Sequence, residues 1–219
     1  CIKYLYYMYS KSYFKFRSLN DDKRIKSFIL EKKFILKHTT INKIICDVGC
    51  SSGEFLTAIN WTGRKFGMEI NKFAITKAKK ANIYFNNNIL NKKNFFDVIV
   101  FRGTIQHIEE PFFYLKSSYK ALKKGGLIFL LATPNINSLH YKIYNDLPAL
   151  DKKRNFFLPS DVIIKNIMKI YKFKLLDCQY PYFGSGYNFF LKDFIFFILK
   201  IFGFYKKNVT FPGNMMNLV

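Results

Sequence analysis

The sequence is poor in acid. Its 219 residues hold 14 Asp and Glu against 36 Lys and Arg, a formal net charge of +22. A surplus of that size suits a phosphate-rich partner, either nucleic acid or an anionic membrane. It is also what an A/T-rich coding bias produces, since Lys, Asn, Ile, Phe and Tyr are all abundant and the lysines form no single dense block. The four cysteines, Cys1, Cys46, Cys50 and Cys178, include no CxxC pair. That excludes a disulfide framework or zinc site of the usual spacing and points to free thiols in a reducing, cytoplasmic setting. The late apolar run FIFFILKIFGF is interrupted by Lys192, Asp193 and Lys200, so a membrane-spanning helix is not expected. The opening stretch CIKYLYYMYSKSYFKFR has no clean apolar core, so no secretory signal is expected either. No internal repeat or low-complexity linker divides the chain.

Hydrophobic residues make up 50% of the chain and aromatics 19%, which excludes a disordered chain and allows one domain with a substantial core. Residues 1–40 read as an N-terminal helical segment, expected to be truncated because the chain begins at Cys1. Residues 41–219 read as the main domain, with an insertion or lid at about 182–207. DDKRIKSFILEKKFILKH places Ile25, Phe28, Ile29, Ile35 and Leu36 at helical spacing. From residue 44 to residue 180 short apolar runs alternate with helical patterns: KIICDV, RKFGMEI, NIYFNNN, FFDVIVFR, LIFLLAT and KLLDCQY as strands, with GNMMNLV as a seventh. The helix EPFFYLKSSYKALKKGG starts at Pro111 and is expected to end at Gly125-Gly126. Asn71 and Ser160 or Asp161 are expected helix caps. This alternation predicts a mostly parallel sheet with helices on both faces.

One stretch, IICDVGCSSGEFL, fits three chemistries. Gly49-Cys50-Ser51-Ser52-Gly53 satisfies G-x-S-x-G, the turn of a hydrolase serine. But only about forty residues precede it, no His-Gly-Gly loop lies upstream, and no triad partners follow in order. It half-satisfies the dinucleotide fingerprint, yet the third glycine would fall at Glu54, whose charge would repel a pyrophosphate at a helix N-terminus. The third reading, a seat for S-adenosylmethionine, has no phosphate to repel. The cofactor's ammonium wants a carboxylate, which Asp47 offers. A carboxylate at the end of the second strand, Glu69, can accept hydrogen bonds from a ribose diol.

On these residues the chain resembles the class I S-adenosylmethionine-dependent methyltransferases over about residues 20 to 180. DVGCSSGEFL resembles the first motif of that family, with Ser51 in place of the middle glycine. Glu69 matches the ribose-binding acid, and Asn88 falls where the family often has an acid beside the adenine. FFDVIVFRGTIQHIEEP and LKKGGLIFLLATPN resemble the fourth strand, its loop and the fifth strand. The resemblance implies a Rossmann-like, doubly wound, seven-stranded α/β sheet and S-adenosylmethionine as cofactor. It implies Asp47, Gly49, Cys50, Ser51, Gly53, Glu69, Ile70, Asn88 and Arg102 as cofactor-binding residues. The subgroup it is most similar to includes ubiquinone-biosynthesis O-methyltransferases and many sugar or polyketide methyltransferases. Some of those hold a metal through E-x-x-E-H; here Gly103, Gln106 and His107 stand at those positions, so no metal site is expected.

The expected activity is O-methylation of a small-molecule, sugar or lipid-like acceptor. His107, after the fourth strand, is the candidate base, and His140 is a weaker one. Tyr141, Tyr144, Phe156 and Phe157 are expected mostly to pack the core. The segment from Tyr182 reads as a packed hairpin-like insertion, with a lid, a dimer surface or an interfacial helix as alternatives. Nucleic-acid methylation stays open through the charge, although no Asn/Asp-Pro-Pro-Tyr motif and no Pro-Cys pair is present. A non-catalytic cofactor-binding module also stays open, as does peripheral membrane contact. Oligomeric state is not legible.

Overall fold

The computed structural model describes residues 21–79, 81–86, 88–151 and 153–219. The first half of the N-terminal segment lies outside them. A seven-stranded sheet has the order β3-β2-β1-β4-β5-β7-β6. Its strands are β1 (Ile45–Val48), β2 (Lys65–Met68), β3 (Ile83–Phe85), β4 (Phe96–Arg102), β5 (Leu122–Pro134), β6 (Cys178–Gln179) and β7 (Met215–Leu218). β1 to β5 run parallel, and β7 runs antiparallel to both β5 and β6. This is the predicted Rossmann-like α/β fold.

The helices are α1 (Asp21–Leu36), α2 (Glu54–Ala58), α3 (Lys72–Lys79), α4 (Pro111–Ala121), α5 (Leu139–Tyr144), α6 (Asp161–Ile170) and α7 (Phe190–Ile201). They cover both faces of the sheet, and the strands' period of two divides the core accordingly. Ile99 and Phe101 of β4 join Ile128 and Leu130 of β5, with Leu115 of α4 and Ile164 of α6. Their neighbours Val98, Val100, Phe129 and Leu131 face the other way, against Phe34 and Ile35 of α1 and Phe55 and Leu56 of α2. Strands buried on both faces explain why the sequence reads as near-continuous apolar runs.

The caps expected at Asn71 and Ser160 form: Asn71 Oδ1 accepts the Ala74 N–H at 3.0 Å, and Ser160 Oγ accepts the Ile163 N–H at 3.1 Å. Four expectations need correction. α1 buries Phe28, Phe34 and Ile35, whereas Ile25, Ile29 and Leu36 are exposed; polar Arg24 and Glu31 take part in the buried face instead. α4 stops at Ala121 rather than at the glycines, because Leu122 pairs beside Phe96 in β5. Pairing then jumps to Val98 and Leu127, so Lys123–Gly126 form an irregularity inside the strand. The expected strand KLLDCQY shrinks to Cys178–Gln179. The hairpin-like reading of the segment from Tyr182 fails, since residues 190–201 form the helix α7 between β6 and β7.

Candidate functional site

The carboxyl ends of β1, β2, β4 and β5 open onto a cavity of about 690 Å³, a volume in the usual range for a small-molecule site. β1 delivers the glycine turn to its wall. Gly49 has φ +77°, and a Cβ there would lie 2.3 Å from Thr104 Cγ2. Only glycine lets the chain leave β1 so close to the loop after β4. Gly49 N–H donates to Met68 O at 2.8 Å, which locks the turn to β2. Ser51 follows at φ +51°, left-handed and non-glycine. Gly53 has φ +76° and packs toward Ile83 and Ala78, setting α2 close to the sheet.

Glu69 leaves the end of β2 and gathers three backbone donors. Its Oε2 accepts the Ser51 N–H at 3.0 Å, and its Oε1 accepts those of Ile70 and Asn71, each at 2.8 Å. A carboxylate has about four acceptor positions, so a ribose diol would use the remaining one and compete for another. Ile70, half exposed, offers an apolar platform beside it.

Across the cavity stands Arg102. Its Nε and terminal nitrogen reach Glu31 at 2.6 and 3.0 Å in a two-point pair. Burial pushes the Glu31 carboxyl up from its ordinary value, and the guanidinium offsets only part of that rise. Arg102 also lies 4.3 Å from the centroid of the Phe28 ring, so α1 closes one side of the cavity. Arg24 of α1 is paired with Glu54.

His107 sits in the loop after β4. Its Nδ1 is 3.0 Å from Arg154 O. A carbonyl can only accept, so Nδ1 carries the proton and Nε2 is the basic nitrogen. Nε2 lies 3.4 Å from the donor Gln106 Nε2, consistent with that tautomer. Burial lowers the His107 pKa below its ordinary value, against the Arg154 carbonyl, which raises it. The ring is therefore neutral at pH 7. The loop is clamped because Gln106 O accepts the Phe156 N–H at 2.9 Å.

Of the residues expected to bind cofactor, Gly49, Ser51, Glu69, Ile70 and Arg102 line the cavity together with His107. Asp47, Cys50, Gly53 and Asn88 do not. Asp47 is 2% exposed within β1. The Cys50 thiol packs under Gly67, where a Cβ would come within 2.6 Å of Sγ. Burial, and then the charges of Asp47 and Glu69, push that thiol far above its usual range, so it stays protonated. Asn88 is exposed, with its N–H on Asn86 Oδ1 at 2.8 Å. His140 is fully buried, bonded through Nδ1 to Asp146 O at 3.0 Å and packed on Tyr144 and Phe197. It is a core residue outside the cavity.

Sequence reasoning missed part of the cavity wall: Tyr114, Pro148, Ala149, Pro181, Thr210 and Met215. These come from four separate segments and share no local pattern. Arg24 and Glu31, two polar residues on the buried side of α1, were the one available signal.

The comparisons agree with this geometry. The methyltransferase-domain family matches residues 21–177, and the chain belongs to it. An uncharacterized protein of Methanocaldococcus jannaschii is 30% identical over 171 residues, covering 77% of this chain and 61% of that protein. The chain thus spans about three fifths of that relative's length. Among solved structures, a methyltransferase of Thermotoga maritima described as S-adenosylmethionine-dependent superposes with TM-score 0.65 at 14% identity, covering 97% of both chains. Another of that description, from Archaeoglobus fulgidus, gives TM-score 0.61 at 17% identity, covering 93% of this chain and 97% of that one. At those identities the likeness is one of fold. Membership of the family implies S-adenosylmethionine as the cofactor. Among the described residues no helix is long and apolar enough to cross a membrane.

Proposed function

We propose that this chain transfers the methyl group of S-adenosylmethionine to a hydroxyl oxygen of a small-molecule, sugar or lipid-like acceptor. The residues present fit the cofactor. Glu69 and Ser51 would hold its ribose, Ile70 its adenine face, and the Val48–Gly49 turn its amino-acid end. The cavity wall combines these few polar groups with apolar side chains such as Val48 and Met68. Bound there, the cofactor supplies a methyl group on a sulfonium centre that is already electrophilic.

The rest is positioning and proton handling by this chain. The observation that carries the reading is the neutral His107 on the cavity wall, with Nδ1 spent on a backbone carbonyl. Nε2, which accepts only the long 3.4 Å contact from the Gln106 amide, exchanges it for the proton of an acceptor hydroxyl as the O–C bond forms and the methyl–sulfur bond breaks. The Arg154 carbonyl on Nδ1 keeps the ring in place while Nε2 takes the proton. Arg102, α1 and the loop after β6 line the cavity.

Titration calorimetry with S-adenosylhomocysteine on the wild type and on Glu69→Ala tests the cofactor half. Binding that is lost in the variant is expected. A labelled-methyl assay over hydroxylated acceptors, on wild type and His107→Ala, tests the rest. Unchanged turnover in His107→Ala with intact cofactor binding would remove His107 as the base and, with it, the case for oxygen as the methylated atom.

A further inference from the structure

The segment between β6 and β7 turns its apolar residues outward. On α7 and at its C-cap, Phe190, Leu191, Phe194, Ile195, Ile201 and Phe202 are all exposed, Leu191 by 76%. At 100° per residue they fall within one sector of the helix, with half-buried Ile198 in its middle. Phe197 and Asp193, on the flank of that sector beside Phe190, are what pack on the protein. Phe204, just beyond the helix, is 79% exposed, and Phe183 and Phe189 extend the same surface before it. A contiguous exposed apolar face of this kind marks a contact surface rather than ordinary scatter.

Charge identifies what that surface fits. Residues 182–207 contain one carboxylate, Asp193, and four lysines, Lys192, Lys200, Lys206 and Lys207. Asp193 is turned inward, its Oδ2 accepting the Tyr182 hydroxyl at 2.6 Å and the Phe189 N–H at 2.9 Å. The outward charge of the segment is therefore entirely positive, with Lys192, Lys206 and Lys207 exposed beside the apolar residues. A protein partner would need its own apolar patch ringed by acid. An anionic bilayer presents both features everywhere, an acyl boundary beneath a negative surface. Twelve residues of helix span about 18 Å, too short to cross a bilayer core of about 30 Å but suited to lying in its plane.

The geometry points to α7 and its flanking lysines as a seat on an anionic lipid surface. Pro181, Ser185 and Tyr187, which lead into α7, line the cavity. A second consequence rests on the methyl-transfer reading: the cavity adjoins the seated face, so a lipid-borne acceptor can enter from the membrane without crossing water.

The test is flotation of the full chain with vesicles of phosphatidylcholine alone and with roughly one third phosphatidylglycerol. Binding is expected only to the anionic vesicles and should weaken with salt. Leu191→Glu/Phe204→Glu should weaken it at least about tenfold, and Lys206→Glu/Lys207→Glu should do so as well. Ile170→Glu, at an equally exposed apolar position on α6, should leave it unchanged. Calorimetry with S-adenosylhomocysteine on each variant shows that the fold is intact and separates failure here from failure of the methyltransferase reading. No binding by the wild type, or equal binding by Leu191→Glu/Phe204→Glu, would overturn the proposal. So would a dimer in sedimentation that this double variant dissolves, which would assign the face to a second copy.

Discussion

The Ser51 N–H donates to Glu69 Oε2 at 3.0 Å, so one carboxylate at the end of β2 fixes the left-handed corner of the turn after β1. With the Ile70 and Asn71 donors it serves three N–H groups at once. Glu69→Ala should therefore lose stability as well as cofactor affinity. The expected cost is about 1–3 kcal/mol from the stranded donors, read by urea unfolding, with Glu69→Gln intermediate.

Gly49 and Gly53 share the same backbone region but should respond differently to alanine. At Gly49 the new Cβ meets the branched Thr104 side chain at 2.3 Å; at Gly53 it meets the tip of Ile83, which can rotate away. Gly49→Ala is expected to cost about 2–4 kcal/mol, and Gly53→Ala about 1 kcal/mol from its left-handed φ alone. Thermal unfolding of the two variants checks the order.

Ser51 stands at φ +51° without glycine's freedom. Ser51→Gly should keep cofactor binding and leave stability within about 1 kcal/mol of wild type, whereas Ser51→Val should lose more than about 1 kcal/mol. Melting temperatures and calorimetry separate the two.

Burial lowers the His107 pKa, so its basic form persists below the ordinary value of about 6.5. The acid limb of kcat/KM should lie below that pH and vanish in His107→Gln. A limb at higher pH that survives the substitution would assign the proton to another group.

Burial alone would raise the Asp97 pKa, but the Lys123 ammonium at 2.8 Å and the Ile44 N–H at 2.9 Å outweigh it and lower it. A carboxylate lowered in the fold adds stability above its unfolded value, near 4, and loses it as pH falls toward the folded one. Asp97→Asn should cost about 1 kcal/mol at pH 7, and the gap to wild type should narrow as the pH falls below the unfolded value and toward the lowered folded one.

How much was legible follows from range. β1, β4 and the centre of β5 are apolar on both faces, and their signal is local, so the sheet could be read residue by residue. The glycine turn and Glu69 were legible because one short loop and one strand end carry them. Asp47, Cys50, Gly53 and Asn88 stand at motif positions but are not among the residues that line the cavity. Spacing along the chain says which residues are near the turn, not which side of it their atoms occupy. The two-residue β6 and the outward-facing α7 had no local signature, because exposed apolar residues read as core in any sequence. The rest of the cavity wall was invisible for a third reason: Tyr114, Pro148, Pro181 and Met215 meet only after the sheet has closed.

That closure has an order in time. β7 lies between β5 and β6, yet Leu218 pairs with Leu130 across about half of the domain's length and with Cys178 across the whole α7 segment. Until it arrives, β5 shows an open edge, the kind on which unfinished chains join one another. The Lys123–Gly126 irregularity lies near the start of β5, away from the residues that pair with β7, and does not guard that edge. A chaperone that holds the edge apart, or slow production at low temperature, should matter more to the yield of this protein than any single core contact.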